Sequence, residues 1–181
     1  MHQRSLLIVA MALTACRGPN AVSGMPAASS AVTASAPAAA AHDHVVRPNN
    51  EPLPLRELAM ARRAAARYQD VQEALKDGYV DINVVLPNMG RHLLKESLLD
   101  AKFDAERPEV LVYTEEPGGH LSLVAAEYAV PLQLTDTPPD GFPGGADQWF
   151  ADQRFQLWTL HAWIFRENPD GMFNPTNRRV P

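Results

Sequence analysis

The stretch Phe155-Gln-Leu-Trp-Thr-Leu-His-Ala-Trp-Ile-Phe165, followed by Arg166-Glu-Asn-Pro-Asp-Gly-Met-Phe-Asn-Pro175, decides the fold of this chain. Read with a period of two, Phe155, Leu157, Thr159, His161, Trp163 and Phe165 share one face. Gln156, Trp158, Leu160, Ala162 and Ile164 share the other. Both faces are largely apolar, which predicts a strand inside a sheet and covered on both sides. Aromatic side chains suit such a pleated surface. Asn168-Pro169-Asp170-Gly171 then stops the strand with turn-forming residues. A histidine buried in such a strand must be hydrogen-bonded, paired with a charge or bound to a metal. His161 is therefore the first residue that needs a chemical explanation.

Working outward, Glu109–Tyr113 and Leu121–Val130 read as two strands joined by the tight connection Glu116-Pro-Gly-Gly119, a β-hairpin ended by Pro131. Tyr79–Leu86 sets Val80, Ile82, Val84 and Leu86 against Asp81 and Asn83, the alternation of a half-buried strand. Pro87-Asn88-Met89-Gly90 turns the chain into an element that begins at His92-Leu93-Leu94, and Lys95–Leu99 suits a short helix. Leu55–Asp77 is rich in good helix formers, with Leu58, Ala61, Ala65, Tyr68, Val71 and Leu75 in one stripe. It predicts a single helix of roughly 35 Å, at ~1.5 Å per residue, with Gly78 just past its end. The loop from Leu132 to Gln153 is longer than ordinary connections, the mark of a lid, a pocket wall or a merely mobile segment. The expected architecture is α+β, with one long N-terminal helix across a mostly antiparallel sheet of four or five strands.

The N-terminus carries different information. Arg4 precedes the apolar run Leu6–Leu13, which is too short to span a bilayer and reads as the core of an export signal. Leu13-Thr14-Ala15-Cys16 resembles the lipobox of bacterial lipoproteins. That resemblance implies a signal peptide over residues 1–15, cleavage before Cys16 and acylation of its sulfur and new amine. Arg17, rather than Asp, implies the outer-membrane default of Gram-negative lipoproteins, facing the periplasm. Cys16 is the only cysteine, so no disulfide competes for it. Residues 16–50 are dominated by small residues and proline, the composition of a flexible tether, and His42-Asp43-His44 near its end is a weak metal-ligand fragment. The folded domain is expected over 51–181. With 16 Lys and Arg against 21 Asp and Glu the net charge is −5. No basic run or aromatic-basic patch points to nucleic acid.

Three residues stand out for chemistry. His92 follows the Met89-Gly90 turn, Glu127 shares a strand face with Leu121, Leu123, Ala125 and Ala129, and His161 lies in the core strand. A carboxylate among apolar neighbours needs a partner or its proton. Two histidines and a carboxylate are also a recognised ligand set for zinc or another divalent transition metal with an open position. No local spacing motif such as H-E-x-x-H or C-x-x-C supports that set, and no nucleophile elbow or phosphate loop is present. Trp149, Phe150, Phe155 and Trp158 form an aromatic cluster that serves as core anchor or as ligand platform.

From Arg67 to Pro175 the chain also resembles a group of exported bacterial proteins without an assigned activity. The resembling pieces are Arg67-Tyr-Gln-Asp-Val71 with Asp77-Gly-Tyr79, Pro87-Asn-Met-Gly-Arg-His92 and Arg107-Pro-Glu-Val-Leu-Val-Tyr113. Glu127-Tyr-Ala-Val-Pro131, Leu160-His-Ala-Trp163 and Asn168–Pro175 complete them. Typical members are similar to Gly-Met-Gly-aromatic-His where this chain has Asn88-Met89-Gly90-Arg91-His92. The resemblance implies a shared fold and marks His92, Glu127 and His161 as a site, but it carries no reaction. The resulting expectation is a lipid-anchored periplasmic protein with a small-ligand or metal site at those residues. The alternatives are a structural or interaction lipoprotein with a buried His–Glu pair, and a metal-dependent hydrolase.

Overall fold

The computed structural model describes residues 53–181. The expected signal peptide, Cys16, the tether and His42-Asp43-His44 lie outside the described residues. The order is α1 (Leu55–Ala65), a 3-10 turn (Ala66–Gln69), α2 (Val71–Lys76), β1 (Val80–Leu86), β2 (Gly90–Leu94) and a second 3-10 turn (Glu96–Leu98). Then come β3 (Val110–Glu115), β4 (Leu121–Pro131), β5 (Phe150–Asp152) and β6 (Leu157–Ala162). All neighbouring strands are antiparallel, in the order β1-β2-β3-β4-β6-β5. The α+β class is as read from the sequence.

The single long helix is not. Asp70 leaves helical geometry at φ −86° and ψ 109°, and its side chain caps α2 by accepting from the Gln72 amide at 2.9 Å. The break frees the Tyr68 carbonyl, which accepts from the buried Tyr113 hydroxyl at 2.7 Å. Because the helical phase restarts at Asp70, Ala74 is buried in α2 and Leu75, expected in the stripe, is exposed. Leu58, Ala61 and Ala65 do form the buried face of α1, and Gly78 ends α2 at φ +95°.

The sheet has six strands rather than four or five. The Phe155–Phe165 stretch is shorter as a strand than expected, since Asp152 Oδ1 accepts from the amides of Arg154 and Phe155 and bends residues 153–156 into a hairpin turn. That turn pairs β6 with the three-residue β5, which lies within the stretch expected to be loop. β6 is thus interior but second from the edge, and β3 and β4 form the centre, buried on both faces. The β3–β4 hairpin is as expected.

The helices cover the sheet face that carries Leu93, Leu111, Tyr113, Ala126, Tyr128, Leu160 and Ala162. On the opposite face Val110, Val112, Ala125 and Ala129 pack with Trp163 and Val180. The C-terminal segment is tied to the β1–β2 turn: the Asn177 amide donates to the Asn88 carbonyl at 2.7 Å and the Asn88 amide to the Pro181 carbonyl at 3.2 Å. Asn88 sits at φ +60°, a left-handed conformation that Asn tolerates better than most residues, so it suits this turn.

Glu109, just before β3, is almost fully buried, and its Oε2 accepts from the Ala129 amide at 3.0 Å. Burial pushes its carboxyl up to about 8. A folded-state value raised above the ordinary 4.5 means stability that is present at low pH and lost as pH rises through about 8. Glu109→Gln keeps an acceptor for Ala129 and carries no charge. Thermal melts should show the variant equal to the parent at pH 4 and about 1–3 kcal/mol more stable at pH 8.5. Equal stability at both pH values would mean that Glu109 ionises without cost.

Candidate metal centre

Three strands deliver His92, Glu127 and His161 to one place on the sheet face away from the helices. Glu127 of β4 is the direct cross-strand partner of His161 of β6. Across β3, Val110 stands between Glu127 and Leu94, and His92 lies two residues back along β2 on the same face. The three side chains are 6%, 6% and 2% exposed respectively. One donor atom from each lies within 4.8 Å of the other two. His92 Nε2 is 3.5 Å from Glu127 Oε2, and His161 Nε2 is 3.7 Å from Glu127 Oε1.

These separations are too long for hydrogen bonds, which for such atoms fall near 2.7–3.2 Å. They are ion pairs only if the imidazoles are protonated, and burial opposes that. Desolvation lowers the pKa of both histidines; for His161 Glu127 pulls the other way, and His92 adds to the lowering. Desolvation raises the Glu127 carboxyl, partly offset by His161. The imidazoles are therefore neutral, and the three groups meet as potential ligands rather than as a salt bridge. Among the described residues, Glu127 Oε2 and both ring nitrogens of His161 are buried without a hydrogen-bond partner.

The surroundings orient the rings. His92 Nδ1 faces the Val84 carbonyl of β1 at 3.2 Å. An Nδ1–H donated to that carbonyl leaves the Nε2 lone pair turned to Glu127, the arrangement a metal-binding imidazole uses. His161 stacks on Trp163, with ring centroids 5.8 Å apart and planes 15° apart. The Trp163 indole in turn donates to the Asn174 carbonyl at 2.6 Å, so the Asn-Pro tail braces the histidine.

The triad forms part of the wall of a cavity of ≈ 660 Å³. Ile82, Val84 and Leu86 of β1 line it on one side, and Phe150, Phe155 and Leu157 of the β5–β6 hairpin on another. Of the stretch expected to be a lid or wall, residues 150–153 line the cavity. The aromatic cluster divides. Phe150 and Phe155 face the cavity, Trp149 packs near Phe103, and the Trp158 indole donates to the Thr135 carbonyl. Sequence reading missed the Val84 carbonyl and the role of the β1 stripe, because alternation marks an apolar face without saying whether protein or a cavity meets it.

Comparison with known proteins gave no match: no family model fits the sequence, and no curated protein or solved structure is significantly similar to it.

Proposed function

We propose that this chain is an exported, lipid-anchored protein that holds one divalent transition metal between His92, Glu127 and His161. The observation that carries the reading is the set of orphaned, buried donor atoms on Glu127 and His161, with His92 Nε2 beside them. Bonds of ~2.0–2.2 Å in a tetrahedral site place ligand atoms ~3.4 Å apart, so the observed separations, 3.5 and 3.7 Å to different Glu127 oxygens and up to 4.8 Å among one donor atom from each residue, close to a site with shifts of at most about 1.4 Å. A hydrogen-bonded structural pair would be shorter and would leave no such atoms. Two imidazoles and one carboxylate would leave a tetrahedral ion one open position, and a metal held there would supply Lewis acidity and a bound water acidified to ~7, the basis for a hydrolase-type activity.

Calorimetric titration with Zn²⁺ tests the metal. One ion should bind per chain, and binding should tighten with rising pH because Glu127, its carboxyl raised by burial, must give up its proton. Above pH ~6.5 the histidines add nothing to this dependence, since their values are lowered. No binding, or binding by less than one ion per two chains, would contradict the reading.

The lipid anchor rests on Leu13-Thr14-Ala15-Cys16 and on the apolar run before it. Several acyl chains on one residue give stable membrane attachment. Cys16→Ser should move the protein from the membrane to the soluble fraction on cell fractionation. Full membrane retention of that variant would refute the anchor. Arg17 after the cysteine supports the periplasmic face of the outer membrane as its place.

A further inference from the structure

We propose that the cavity over His92, Glu127 and His161 takes a small, predominantly apolar molecule with a single polar end turned toward those three residues. The inference depends on the metal reading only for what that polar end touches, namely the open coordination position. Two observations lead to it.

The walls and the mouth are apolar. Ile82 is 39% exposed and Phe155 36%, yet both line the cavity. Large apolar side chains gathered around a concavity and open to water are the usual mark of a ligand site. The cavity volume, ≈ 660 Å³, lies within the range of about 300–1,000 Å³ that small-molecule sites occupy.

The polar groups are few. Besides the triad, only Thr159, Gln153 and Asp152 bring polar side chains to the lining. Among the described residues that line it there is no lysine or arginine, so away from the three candidate ligands no side-chain cation is there to receive a phosphate, sulfate or carboxylate. A sugar would bury more hydroxyls than these few groups can satisfy, at a cost for each one left unpaired. An apolar body with one oxygen or nitrogen at its end fits both the walls and the orphaned atoms of Glu127 and His161.

The test uses the full chain carrying Cys16→Ser, so that no detergent competes, loaded with Zn²⁺, and the neutral fluorophore N-phenyl-1-naphthylamine as probe. Displacement by 1-hexanol, 1-heptanol and 1-octanol should strengthen about fourfold per added CH₂, the equivalent of ~0.8 kcal/mol. Ile82→Lys and Phe155→Lys, each at a position open to water, should fold as the parent does and weaken the probe at least tenfold. No dependence on chain length, or unchanged binding in both lysine variants, would overturn the proposal. Zinc stoichiometry is measured separately on the same samples. One zinc per chain without probe binding defeats this inference alone. The alcohol series and the lysine effects without zinc defeat the metal reading and leave the apolar ligand standing.

Discussion

Glu127→Gln should cost the protein its metal and at the same time make the metal-free protein more stable. The amide is a poor ligand in place of a carboxylate oxygen, so zinc affinity should fall by a factor of 100 or more, as loss of an anionic ligand from a three-ligand site requires. The stability effect runs the other way. In the metal-free protein Glu127 is buried, its Oε2 has no partner, and burial raises its pKa. A carboxyl whose folded value is raised costs stability as pH climbs from its ordinary 4.5 through that raised value. Glutamine is isosteric and neutral, so denaturation at pH 8 should show a gain of about 1–3 kcal/mol. If Glu127 served only to hold the sheet through His161, the same substitution would lose about that much. The sign of the change separates a ligand from a scaffold residue, because sites built for function keep buried polar atoms that stability alone would remove.

Gly90→Ala should be the most damaging conservative change in the sheet. Gly90 opens β2 at φ +104°, and a Cβ there would lie 2.3 Å from the Tyr113 carbonyl oxygen of β3. That oxygen belongs to the central strand and cannot move without disturbing the ladder. Backbone strain and overlap together should cost about 3–5 kcal/mol. His92 follows two residues later, so displacement of β2 would also weaken zinc binding. Gly118→Ala is the control: its φ is +96°, but nothing lies within 4 Å of the added Cβ, and the cost should be near 1 kcal/mol. Denaturant midpoints for the two variants give the comparison. Equal losses would mean that the close approach to Tyr113 carries no energy.

What could be read in advance was what depends on near neighbours. The β3–β4 hairpin follows from Glu116-Pro-Gly-Gly119 between two apolar runs, and Gly78 from the end of a helical pattern. Alternation put Glu127 and His161 on inward faces, where a polar group demands a partner. Their meeting was not legible, because it depends on β6 pairing with β4 in one register, and that choice is made by contacts between distant segments. The helix break shows the same limit. Summed propensity over Leu55–Asp77 favours one helix, but Asp70 with Glu73 three residues later also fits a capping pattern, and the long-range bond from Tyr113 to Tyr68 accompanies the break. β5 has three residues, too few for a period to be visible. Its anchor was present all the same in Asp152, whose side chain organises the turn into β6.

Metal content of the purified chain tests the central claim most directly. Parent and His161→Ala proteins would be exposed to zinc, copper, iron and manganese, dialysed, and measured by mass spectrometry beside a folding check by circular dichroism. The account predicts close to one transition-metal ion per parent chain and almost none in a folded His161→Ala variant. A parent chain that emerges without metal, or a variant that keeps a full complement, would contradict it.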